Sequence, residues 1–136
     1  MKVIVCLDDK NGMLFNKRRQ SSDCLVRRSV LEMVGDSKLY MNEYSKKQFL
    51  EQSDSIVVSD KFLNLALEDD YCFLESTDFI KFLDNINTII IYRWNRVYPS
   101  DTIFPSDILK TFKMTETEDF EGNSHKTITK EVYERV

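Results

Sequence analysis

A carboxylate that opens a helical stretch, a lone histidine in a late turn and a scatter of arginines are the side chains with chemistry to offer. Asp23, buried with a raised pKa, could serve as a general acid. An acid in a first helical turn is also stabilised by the helix dipole, and that ordinary role is preferred. Asp8 and Asp9 adjoin in turn-forming sequence and read as turn residues rather than a metal pair. Cys24 lies just inside the helix N-terminus, where a thiolate would be stabilised. With no histidine or second cysteine near it in sequence, structural burial is preferred.

Lys17, Arg18, Arg19, Arg27, Arg28, Arg93 and Arg96 could gather near one sheet edge and hold a phosphate or an acidic partner. A scattered, solvated surface is the plainer alternative. Trp94 and Tyr98, beside Arg93 and Arg96, offer either a stacking platform for a base or ordinary core and interface filling. His125 is the only histidine, and a hydrogen bond closing a hairpin is its expected task. A single imidazole argues against metal centres built on several histidines, so no metal is expected.

The chain has 136 residues, 42% of them hydrophobic and 31% charged, which is enough apolar sequence for one domain with a real core. A net charge of −4 and a pI near 5.1 argue against non-specific nucleic-acid binding. The three cysteines, Cys6, Cys24 and Cys72, show neither disulfide nor zinc spacing, which fits a reducing cytoplasm. The opening MKVIVCLDD has too short an apolar run for a signal peptide, and no stretch approaches a membrane span.

The elements that must position these residues are legible as alternating strands and helices. Thr88 to Trp94 is continuous apolar and β-branched sequence, as in a strand covered on both faces, and it predicts a central strand beside Lys2 to Leu7. Gly12 is available for positive φ in the 8–12 turn, and Ser22 can cap a helix over Asp23 to Val34 that stops at Gly35. Further strands are expected at Lys38 to Met41, Ser55 to Val58 and Tyr71 to Leu74. Asn42 can cap a helix over Glu43 to Glu51, and Thr77 one over Asp78 to Leu83. Ile108 to Glu118 and Lys126 to Arg135 alternate and pair naturally as an antiparallel hairpin. The fold class is therefore α/β, a mostly parallel sheet with an antiparallel edge.

That order of elements resembles the dihydrofolate reductase family, over nearly the whole chain. SDTIFP at 100–105, followed by a strand, NSH at 123–125 and a last strand ending ERV, is similar to the family's acidic-Thr-x-Phe-Pro turn and closing hairpin. KLYMNEYSKKQF at 38–49 resembles its strand and helix around a Met-Gly-Arg motif. Gly12 and Asp23 are spaced much as its loop glycine and folate-binding carboxylate.

The departures fall on the binding machinery that the resemblance implies. In the reductases a Gly-Gly pair lets the cofactor pyrophosphate reach a helix N-terminus. Gly12, Gly35 and Gly122 include no such pair, and the sequence leaves no room for a further strand and helix between the Asp78 helix and Thr88. Met41, Asn42 and Glu43 put an acid where the family has its 2′-phosphate-reading arginine. Asp23 is followed by CLVRR, without the aromatic that stacks on the pterin, and 17–22 has no family counterpart. The expectation is a shortened relative with no cofactor and no NADPH-dependent reductase activity, acting by binding a small anionic ligand or another protein. The alternative is a divergent enzyme using Asp23 and the Arg93 region on a pterin, nucleotide or similar heterocycle. Since open α/β sheets place ligands beyond the carboxyl ends of their strands, Asp9, Asn42, Ser59 and Arg93, with Asp23 above them, are the candidate ligand-binding residues. Arg93 is expected either to hold an anion or to pair internally with Asp23 or Glu43.

Overall fold

The computed structural model describes all 136 residues. Its centre is the pairing of β1 (Lys2–Leu7) with β7 (Thr88–Arg93), parallel and in register from Lys2↔Thr88 to Leu7↔Arg93. Alternation sends Val3, Val5, Leu7, Ile89 and Ile91 into one apolar layer and Ile4, Ile90 and Tyr92 into the other. Because both faces are covered, the two strands carry unbroken apolar sequence, as expected.

β4 (Leu39–Met41), β5 (Ile56–Val58) and β6 (Tyr71–Phe73) extend the sheet in parallel on one side. On the other side lies the antiparallel hairpin of β9 (Phe112–Phe120) and β10 (Ile128–Arg135). The seven strands run in the order β5-β4-β6-β1-β7-β10-β9. Alternation along β10 sends Tyr133 into one layer and Ile128 and Val132 into the other, and a bulge in β9 opposite Val132/Tyr133 lets β9 serve both, Phe112 packing into the first and Phe120 into the second.

Helix α1 (Cys24–Val34) covers one face through Val26, Val30 and Val34, and its Ser29 hydroxyl meets the Tyr92 hydroxyl at 2.8 Å. Its cap is Asp23, not Ser22: Asp23 has extended backbone and its carboxylate accepts from Leu25 N–H. Gly35 ends the helix at φ 57°, as expected. The helix expected to Glu51 is a single turn, α2 (Glu43–Lys46), capped by Asn42 as anticipated. A further turn, α3 (Phe62–Leu65), follows β5. The segment after Thr77 is a 3-10 helix over Asp78–Asn85 without a side-chain cap. Ile108 belongs to another 3-10 helix, Ser106–Thr111, so the first arm of the hairpin starts only at Phe112.

A small antiparallel sheet, β3-β2-β8, lies apart from the main one; it joins β3 (Arg18–Arg19), β2 (Gly12–Phe15) and β8 (Thr102–Ile103). The β2–β3 turn is Asn16 and Lys17, both at positive φ (50° and 62°), the geometry of a two-residue type I′ hairpin. In the preceding turn the positive φ falls on Asn11, at 62°, rather than on Gly12. No helix is long and apolar enough to cross a membrane.

Candidate functional site

The carboxyl ends of β1, β6 and β7 deliver Asp8, Leu74 with Glu75, and Trp94 to one side of the sheet, where an α/β sheet opens its cleft. Beyond these three strands the chain fills the cleft with its own residues, whereas beyond β4, β5 and β6 a cavity of about 330 Å³ stays open, lined by Asn42, Asp60, Lys61, Ser76 and Asp78 among others. From β3 onward, each residue of Arg19-Gln20-Ser21-Ser22 reaches a partner across the filled part.

Arg19 donates Nε and Nη2 to the two Glu75 carboxylate oxygens at 2.9 and 3.0 Å, a fork-to-fork pair. Its guanidinium lies 4.3 Å from the Tyr44 ring centroid, and Nη2 also donates to the Tyr44 carbonyl. Glu75 accepts further from the Ser45 hydroxyl at 2.9 Å and the Gln48 amide at 3.2 Å. Gln20 donates to Asp8 and to the Pro99 carbonyl. Ser22 donates to Gln48 and accepts from Arg27, which pairs with Glu51 at 2.9 Å.

Beneath this segment remains a void of about 10 Å³ lined by Cys6, Met13, Gln20, Ser21, Glu75 and Trp94, among others. It has room for about one water, and the buried Gln20 Oε1 has no partner in the protein. Burial, reinforced by the Glu75 charge, pushes the Cys6 thiol far up, so it stays protonated.

Two buried carboxylates anchor the cleft walls. Asp8 accepts from the N–H groups of Lys10, Gly12 and Tyr98 and from Gln20. Burial alone would raise its pKa, but these bonds, led by Gly12 and Tyr98, bring it below the usual range. Asp23 is 2% exposed. It accepts from Leu25 N, Asn123 N, Ser124 N, Ser124 Oγ and His125 Nδ1, all at 2.9 to 3.2 Å. Burial again acts upward, and the bonds from Asn123, His125, Ser124 and Leu25 outweigh it, holding the carboxyl well below the usual range. Such a group is a carboxylate near neutrality and has about four lone-pair sites, which these donors fill. It is a poor proton donor.

Because Asp23 can only accept, His125 Nδ1 carries a proton and donates it to the carboxylate, while Nε2 lies 3.1 and 3.0 Å from the Ser21 and Tyr98 hydroxyls. The ring stacks on Trp94 with centroids 4.5 Å apart. The His125 ring thus ties the turn between β9 and β10 to Asp23, Ser21 and Tyr98 rather than closing the hairpin as expected; across the turn it is the His125 carbonyl oxygen that accepts, from Gly122 N–H, and Trp94 is core rather than an open platform.

No hydrogen bond or ion pair joins any two of the candidates Asp9, Asp23, Asn42, Ser59 and Arg93. Asp9 is exposed and bonds by its backbone to Arg96. Asn42 caps α2 through Ser45 N–H, and Ser59 accepts from Lys61 N–H. Arg93 donates to Glu131 on β10 at 2.9 Å and to Asn11 at 2.9 Å, so its internal partner is neither Asp23 nor Glu43. Apart from Arg93, ion pairs take up Arg19, Arg27 and Arg28, each with its own glutamate, and the basic residues do not form one patch. Glu75, Gln20, Ser21 and Tyr44 were not among the residues anticipated. The available signal was the polar run at 17–22 between a strand and a helix.

No protein-family model matches the sequence, and no curated protein does. The structure is similar to dihydrofolate reductase from Enterococcus faecalis complexed with NADP(H) and RAB-propyl. The TM-score is 0.67 at 9% identity, over 98% of this chain and 95% of that chain. The chain therefore has a dihydrofolate reductase-like fold: a mixed, mostly parallel sheet with a C-terminal antiparallel hairpin.

Proposed function

We propose that this chain is a non-catalytic binding or interaction protein on the dihydrofolate reductase-like fold. The observation that carries the reading is the cleft beyond β1, β6 and β7, reduced to about 10 Å³ by the chain's own Arg19–Ser22 segment. Two further features agree with it. Between β6 and the following 3-10 helix stands Leu74-Glu75-Ser76-Thr77, an acid and bulky side chains where a pyrophosphate would need close backbone approach. Asp23, with its acceptor sites engaged by five donors, has none left for a heterocycle.

The alternative is a divergent enzyme on a pterin or nucleotide, and the Ser21–His125–Asp23 chain of bonds is what favours it, since it joins a hydroxyl, a base and an orienting acid. Against it, Nε2 is shared with Tyr98, and the void beside Ser21 admits no substrate. An assay of NADPH-dependent dihydrofolate reduction decides between them: no turnover is expected, and turnover would overturn the reading.

A further inference from the structure

The Arg19–Ser22 segment has an outer side as well as the inner one that fills the cleft. There, a cavity of about 490 Å³ opens between the β2–β3 hairpin and Tyr98 with Pro99. Its volume lies within the roughly 300–1,000 Å³ typical of small-molecule sites. We propose that it binds a small planar aromatic anion, a ring carrying a phosphate or carboxylate. This deepens the reading of the chain as a binding protein and rests on it.

The hairpin register supplies the recognising pair. Phe15 and Arg18 are direct cross-strand partners, so their side chains leave the same face of the β2–β3 ribbon side by side. The type I′ turn at Asn16 and Lys17 fixes that register. Phe15 is 42% exposed at the cavity wall, an apolar ring left for another ring to cover. Arg18 enters none of the chain's ion pairs and does not lie over an aromatic ring, so its fork of donors is free for an anion.

The rest of the lining is fixed. Tyr98 is held by its hydroxyl on His125 and its N–H on Asp8, and Arg19 is committed to Glu75. In a chain of net charge −4, Lys17 and Arg18, neither of them in an ion pair, leave this rim locally positive, which is what an anion needs to approach.

The test is calorimetric titration of the intact chain with the four 5′-ribonucleoside monophosphates and naphthalene-2-carboxylate, with adenosine and inorganic phosphate as half-ligands. Saturable binding of at least one aromatic anion is expected, with the matching half-ligand at least about tenfold weaker. Arg18→Met and Phe15→Ala should each weaken it about tenfold, the size of a lost charge-assisted bond or a lost stacking partner, with an unchanged melting temperature. Absence of saturable binding by every aromatic anion at millimolar concentration overturns the proposal. So does binding that neither variant weakens. That second result places the ligand elsewhere and leaves the binding-protein reading standing, whereas NADPH-dependent dihydrofolate turnover overturns the reading itself.

Discussion

Asp23 Oδ2 and His125 Nδ1, 102 residues apart in sequence, meet at 2.9 Å in the interior and tie the start of α1 to the turn between β9 and β10. Replacing Asp23 by Ala removes the α1 cap and leaves the Asn123 and Ser124 N–H groups without their acceptor. A loss of about 3 kcal/mol is expected from the cap and the orphaned donors together. Urea denaturation measures it, and a loss below about 1 kcal/mol would contradict an anchoring role.

The depressed pKa values of Asp23 and Asp8 set the acid limb of stability. In the unfolded chain these groups titrate near about 3.9, so below that pH the unfolded state takes up protons the native state resists. Their contribution is complete above about pH 5 and declines as pH falls through 4 toward the folded values. Stability measured from pH 6 to pH 3 should fall more steeply for the wild-type protein than for Asp23→Ala. Equal slopes would mean that Asp23 is not depressed.

Arg19–Glu75 and Arg28–Glu32 have similar charges and unlike surroundings. The first pair has 22% and 12% of its side chains exposed, the second 71% and 70%. Double-mutant cycles with Met and Gln replacements should give a coupling above about 1 kcal/mol for the bidentate, half-buried pair and no more than about 0.5 for the exposed one. The reverse order would remove the argument that Arg19 latches the segment across the cleft.

Gly122 permits a close approach that no other residue would. A Cβ there would lie 2.8 Å from Asp23 Oδ2 and 2.8 Å from the His125 carbonyl oxygen, a backbone atom. Gly122→Ala should therefore cost roughly 1–3 kcal/mol through displacement of the turn. A melting temperature equal to the wild type would show that the turn yields freely.

The sheet was legible because its signals are local and dense. The β1 and β7 runs are too continuously apolar for anything but neighbours covered on both faces, and Asn42 and Gly35 sit where helix termini demand them. Where Ser22 and Asp23 compete for one cap, type alone does not choose; the second attachment of Asp23 to Asn123 and Ser124 does. The latch was not legible, because Arg19 finds Glu75 56 residues away and neither residue's surroundings announce the other. The same holds for Arg93, whose nearest acid in space is fixed by the β7–β10 register, Glu131 standing opposite Ile91.

The position of β1 between β6 and β7 has a consequence for how the chain is made. Lys2 pairs with Tyr71 and with Thr88, so β1 waits for parallel strands made much later in the chain. Until then a six-residue ribbon, KVIVCL, has neither neighbour. Closing such long loops is slow relative to forming local turns, and unpaired apolar strands are the segments most exposed to aggregation meanwhile. Pairing of β1 on both edges is possible only once Thr88–Arg93 has been made, whatever helices have already formed.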